Sequence, residues 1–140
     1  MRKIVLLLAL AAAAVLAVGV ASAATVKTQT VQLKGSAETP KGSPKGKGTF
    51  SFQLLTATGK LCYSLKWSGI GSPSAAHVHK GKAGVAGNIV IVLSGTPPVK
   101  HSGCVNASKT LLKAIQKNPK AYYVNVHTAK YPGGAIRAQL

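Results

Sequence analysis

Two neighbouring stretches alternate apolar and polar residues with a period of two. That pattern commits much of the chain to half-buried β-strands, because successive side chains of a strand point to opposite faces. In residues 49–55, TFSFQLL, the side chains of Phe50, Phe52 and Leu54 share a face. In residues 60–67, KLCYSLKW, Leu61, Tyr63, Leu65 and Trp67 point inward and Cys62 falls on the opposite face. Thr58-Gly59 supplies a turn between them, so the pair reads as a hairpin. The pattern returns near the end of the chain. Tyr122, Val124 and Val126 face one way, and Tyr123, Asn125 and His127 face the other. After the turn Pro132-Gly133-Gly134, Ile136, Ala138 and Leu140 point inward on a last strand spanning 135–140.

Weaker signals fill in the rest. Residues 25–34 alternate loosely, with Val31 and Leu33 on one face. Ala75 to His79 reads as a short strand, and the β-branched run Ile89 to Leu93 predicts a fully buried one. The Gly-, Pro- and Lys-rich stretch 35–48 reads as a flexible loop. Loops are also expected at 69–74, 80–88 and 95–105. Only residues 108–118 break the β pattern. Ser108 can cap a helix there, Leu111, Leu112 and Ile115 recur at helical spacing, and Pro119 ends it. Six or seven short strands with one short helix before the last hairpin predict an all-β protein, an antiparallel Greek-key sandwich or barrel. The expected core is Phe50, Phe52, Tyr63, Trp67, Ile89, Ile91, Leu93, Val124 and Val126.

The first 23 residues form a separate unit. Arg2 and Lys3 precede a 17-residue apolar run from Ile4 to Val20, and Ala21-Ser22-Ala23 follows as a small-residue cleavage site. This is the pattern of an export signal cut after Ala23, leaving one β domain over residues 24–140. An uncleaved membrane anchor is the alternative, and the run is at the short end for a span. Export places the protein outside the cell or in the cell envelope. There, two cysteines in a small domain predict a disulfide between Cys62 and Cys104. Two separate buried thiols are the alternative. The bridge would stabilise the fold by about 4 kcal/mol in the chain-entropy treatment.

The charge balance excludes whole classes of chemistry. The 140-residue chain has 18 Lys plus Arg against one acidic residue, Glu38, and no Asp. Paired-carboxylate hydrolysis, Ser-His-Asp catalysis and EF-hand calcium binding therefore cannot be built. Without residues 1–23 the chain keeps 16 basic residues, Arg137 alone among them being Arg, for a formal charge of +15. Lys109, Lys113 and Lys117 fall on one face of the expected helix, with Lys120 at its exit. This stripe suits a salt-sensitive contact with an extracellular anionic polymer. One Arg and no basic reading helix argue against sequence-specific nucleic-acid recognition.

The histidines are the remaining candidates for chemistry. His77 and His79 lie two apart on one strand and so share a face. His127 lies on the polar face of its own strand. Three imidazoles suit copper or zinc, with water or His101 as a fourth ligand. The competing reading is structural, each ring bonding loop backbone.

Three stretches together resemble the CHRD domain, the module named after chordin. They are Ala75-Ala76-His77-Val78-His79 with Gly81 and Gly84, Tyr123 to Thr128, and Tyr131-Pro132-Gly133-Gly134 through Arg137 to Leu140. Gly35, Glu38 and Pro40 match the opening of such domains. The resemblance spans about residues 31–140 and implies an extracellular binding or structural module rather than an enzyme, with a secreted protein as one class of partner. A second resemblance is to the copper site of copper/zinc superoxide dismutases. It implies His77, His79 and His127 as copper ligands and Arg137 as an anion guide. Residues 80–100 lack the His and Asp that hold zinc in those enzymes, and the cysteine positions do not correspond.

Overall fold

The computed structural model describes residues 26–140, so the export-signal reading of residues 1–23 lies outside the described residues. Eight strands form one antiparallel sheet: β1 (Gln29–Lys34), β2 (Lys47–Leu55), β3 (Lys60–Ser68), β4 (Pro73–Lys80), β5 (Ile89–Ser94), β6 (Ser102–Asn106), β7 (Tyr122–Thr128) and β8 (Ile136–Gln139). One helix, α1 (Lys109–Lys117), precedes the last hairpin, as the sequence predicts. The strand order is β5-β4-β7-β8-β1-β2-β3-β6. The sheet curls into a nearly closed barrel. Tyr63 on β3 reaches across the open seam, its hydroxyl donating to Leu93 O on β5 at 3.0 Å.

Alternation sorts the residues as expected. Phe50, Phe52, Leu61, Leu65, Val78, Val124, Val126 and Ile136 are almost fully buried, and Phe50 and Phe52 stack with ring centroids 5.1 Å apart. The helix adds Leu112 and Ile115 to this core. Its first turn is closed by Leu111 N–H donating to Ser108 Oγ, satisfying a backbone donor that the helix itself leaves free. Cys62 and Cys104 are bonded and sit directly opposite one another on β3 and β6. Among the described residues no helix is long and apolar enough to cross a membrane.

Four expectations need correction. The run 89–93 is not a fully buried strand. β5 is an end of the sheet with one face in solvent, so Ile91 and Leu93 are buried while Ile89 and Val92 are half exposed. Trp67 is half-buried and stacks on His101 at 4.0 Å instead of entering the core. The stretch 95–105 holds β6, a short polar strand of the kind that periodicity does not reveal, aligned with β3 through the disulfide pair. Finally, the loop at 35–48 is pinned. Ser43 N–H donates to Ala135 O at 2.8 Å, Ser43 Oγ–H to Gly69 O at 2.8 Å, and Gly42 N–H to Gly35 O at 2.9 Å.

Candidate metal centre

Register brings the polar residues of three strands onto one outer face. On β4 and β7, Ala75 lies opposite His127, His77 opposite Asn125, and His79 opposite Tyr123. On β7 and β8, Asn125 lies opposite Arg137 and Tyr123 opposite Gln139. Directly opposed residues share a face. The same strands turn Ala76, Val78, Val124, Val126, Ile136 and Ala138 into the core.

The three sequence-nominated histidines meet on that outer face. Each offers one ring nitrogen, and these nitrogens all lie within 4.8 Å of one another. Two of the rings are oriented by backbone carbonyls. His79 Nδ1–H donates to Gly87 O at 2.8 Å, and His127 Nδ1–H donates to Pro132 O at 2.9 Å. A carbonyl only accepts, so the proton is held on Nδ1 and Nε2 keeps its lone pair in both rings. His127 Nε2 lies 3.1 Å from His77 Nδ1, which donates to it. His79 Nε2 is buried and has no partner. An unpaired buried nitrogen costs free energy unless something else takes it up.

Burial also disfavours the charged form of two of these rings. It holds His77 down to about 4, with His127 and His79 adding to the effect. Burial likewise lowers His127, while its bond to Pro132 opposes the shift and His79 adds to it. Neutral imidazole is the form that ligates a metal.

The Gly-rich loop 81–88 is held tightly over this face. The Arg137 guanidinium donates to Val85 O at 3.0 Å, to Lys82 O at 2.8 Å and to Gln139 Oε1 at 2.9 Å. It lies 3.3 Å from the centroid of the Tyr123 ring, whose other neighbour in the stack is His79, 4.7 Å away and nearly parallel. Tyr123 Oη accepts from Gly87 N–H at 3.1 Å, and Gln139 Nε2–H donates to Gly81 O at 2.9 Å. A side chain at Gly87 would collide with Lys80 O, so only glycine brings its carbonyl to His79.

The four remaining nominated residues on or beside the helix, Lys109, Lys113, Lys117 and Lys120, are all exposed. His101, considered as a fourth ligand, is not in the cluster. It stacks on Trp67 and its Nδ1–H donates to Leu65 O at 3.1 Å.

The sequence marks Glu38 as the lone acid and as part of the domain opening, but not where it lies. The chain's only acidic side chain is buried beside Asn125 and Arg137, packed against Gly134, whose φ of +137° itself requires glycine. Burial raises its carboxyl to about 7, against opposing contributions from Arg137 and Asn125. Glu38 Oε1 and Asn125 Oδ1 are buried without partners. The available signal was that one acid survives in a chain that otherwise excludes them.

A family model, the CHRD domain, matches residues 29–140, the whole of the β-barrel together with its histidine face. No curated protein and no solved structure matches the chain. The matched span covers every strand described above, and the chain belongs to the CHRD domain family.

Proposed function

We propose that this CHRD domain is an exported binding module whose ligand is a single divalent transition-metal ion, copper or zinc. The ligands are His77 Nδ1, His79 Nε2 and His127 Nε2. One observation carries the reading. The buried, unpartnered His79 Nε2 points into a group of three imidazole nitrogens whose tautomers are set by Gly87 O and Pro132 O. Carbonyls that fix the outer nitrogen of a ligating ring are the usual support of a histidine metal site.

Uptake requires two small changes. A tetrahedral ion with bonds of 2.0–2.1 Å needs ligand nitrogens about 3.3 Å apart, so the rings close inward on the metal. His77 moves its proton from Nδ1 to Nε2, which frees the Nδ1 lone pair. Water completes the coordination. Arg137 acts through the loop: its guanidinium is committed to Val85 O and Lys82 O, and it keeps Gly87 in place above His79. Its proposed role is thus to position the loop, in place of guiding an anion. Export agrees with the disulfide, which is at home in an oxidising compartment.

Titration of the chain beginning at residue 24 with Cu(II) and Zn(II) tests this, alongside His77→Ala. The expected result is one equivalent bound tighter than about 1 μM, lost in the variant with its melting transition retained. Binding weaker than that, or unchanged in the variant, overturns the proposal. Rings of purely structural purpose would show a lowered melting temperature in the variant and no metal in either protein.

A further inference from the structure

Away from the histidines, the outer face carries a row of cations with no counter-charge. Lys47 on β2 lies directly opposite Lys34 on β1, and Lys34 lies opposite Arg137 on β8. Like charges directly opposed across a sheet destabilise it. Arg137 is relieved by the carbonyls of the Gly-rich loop. Lys34 and Lys47 have no such relief, because Glu38 is the chain's only acidic side chain and is buried.

These two lysines stand on the wall of a surface cavity. It measures about 530 Å³, within the range of small-molecule sites. A third cation, Lys41 from the pinned loop, lines it as well. All three lysines are exposed. The rest of the lining is mostly apolar and backbone, including Pro44, Gly42 and Gly46, and the loop is held rigid by the hydrogen bonds of Ser43. The cavity is therefore preformed. It combines a weakly polar floor with three lysines and no carboxylate in its lining.

The geometry points to a second binding site here, for a phosphomonoester of monosaccharide size. Lysine binds phosphate as a point charge, and three lysines match the charge of a phosphomonoester better than that of a single carboxylate. A phosphate among Lys34, Lys41 and Lys47 removes the repulsion between the opposed pair, and the uncharged ring of the ligand occupies the floor. The site is independent of the metal centre and of the helix lysines.

The test uses metal-free protein at low ionic strength, titrated with glucose 6-phosphate, inorganic phosphate and glucose, binding being followed by amide chemical shifts. Wild type is compared with two variants of equal charge loss, Lys34→Gln/Lys41→Gln/Lys47→Gln and Lys109→Gln/Lys113→Gln/Lys117→Gln. Glucose 6-phosphate is expected to bind with Kd below about 1 mM, at least about tenfold weaker in the first variant and within about twofold of wild type in the second. Shifts should localise to 32–48. Equal weakening in both variants would reduce the effect to bulk charge and overturn the site. So would failure of the sugar phosphate to bind, or glucose binding equally well. Inorganic phosphate binding as tightly would overturn the sugar-sized floor. Should the first triple variant lose its fold, Lys41→Gln alone, in the loop, carries the comparison with the same criteria.

Discussion

Strands β4, β7 and β8 have two buried faces of opposite character. The inner face is Ala76, Val78, Val124, Val126, Ile136 and Ala138, packed into the common core. The outer face is His77, His79, Tyr123, Asn125, His127, Arg137 and Gln139, covered by the loops at 81–88 and 129–135, with Glu38 buried beside Asn125 and Arg137. Burial of the inner face is driven by removal of apolar surface from water, with no demand on direction. Burial of the outer face costs free energy at every polar atom unless each finds a partner. Most do, in backbone carbonyls supplied by glycine-rich turns. The atoms that do not, His79 Nε2, Asn125 Oδ1 and Glu38 Oε1, are buried and unpartnered. A well-packed fold tolerates few such atoms. Their concentration on one face is what separates a candidate site from scaffold.

The contrast can be broken residue by residue. The largest effect on stability is expected inside: Ile136→Ala should destabilise the fold by about 2–5 kcal/mol in denaturant unfolding, with metal affinity unchanged in the folded fraction. His79→Ala, two strands away on the opposite face, should do the reverse. It should lower metal affinity by more than the roughly 10–100-fold that outer-sphere partners command, while the unfolding midpoint holds or rises. If both variants lose stability alike and neither alters metal uptake, the two faces do not differ in kind.

Arg137→Lys is a finer cut. Lysine keeps the charge but cannot hold Val85 O and Lys82 O together as a planar fork does. Metal affinity should fall about tenfold, with faster amide exchange at 82–88. An unchanged exchange pattern would remove the loop-positioning role.

The smallest effect concerns Glu38. Its carboxyl is raised from 4.5 to about 7 in the fold, chiefly by burial. The folded chain therefore holds this proton more tightly than the unfolded chain. The resulting stabilisation is complete below the unfolded value and is lost as pH rises through 7. Glu38→Gln should remove that decline. His77 acts in the opposite direction, since its depression makes the fold lose stability as pH falls from 6.5 towards 4, and it does so in both proteins. Metal-free wild type should thus weaken relative to the variant between pH 5 and 7.5. A constant difference across that range would contradict the buried-acid assignment.

Much of this was legible beforehand, and the failures have physical reasons. Period-two alternation placed Phe50, Leu61, Val124 and Ile136 inside, and the H-x-H spacing put His77 and His79 on one face. It could not show that β5 is an edge, which leaves Ile89 and Val92 half exposed. Nor could it reveal β6, whose Ser-Gly-Cys-Val-Asn has no alternation to read and whose place follows from pairing across the disulfide. The site was half visible. Its three histidines were nominated from strand position and the copper-site resemblance, but their orientation depends on Gly87 O, Pro132 O and the Arg137–Tyr123–His79 stack, which arise from long-range register and from turns without a side-chain signature. The 35–48 loop read as flexible from its glycines and lysines. Those same glycines, Gly35 and Gly42, let backbone pack against backbone closely enough to pin the loop.

X-ray absorption at the zinc edge on protein loaded with one equivalent of Zn(II) tests the central claim most directly. Three imidazole nitrogens and one oxygen at about 2.0 Å, falling to two imidazoles or to an unbound ion in His79→Ala, is the expected result. An all-oxygen shell, or a three-imidazole shell that persists in His79→Ala, would contradict it.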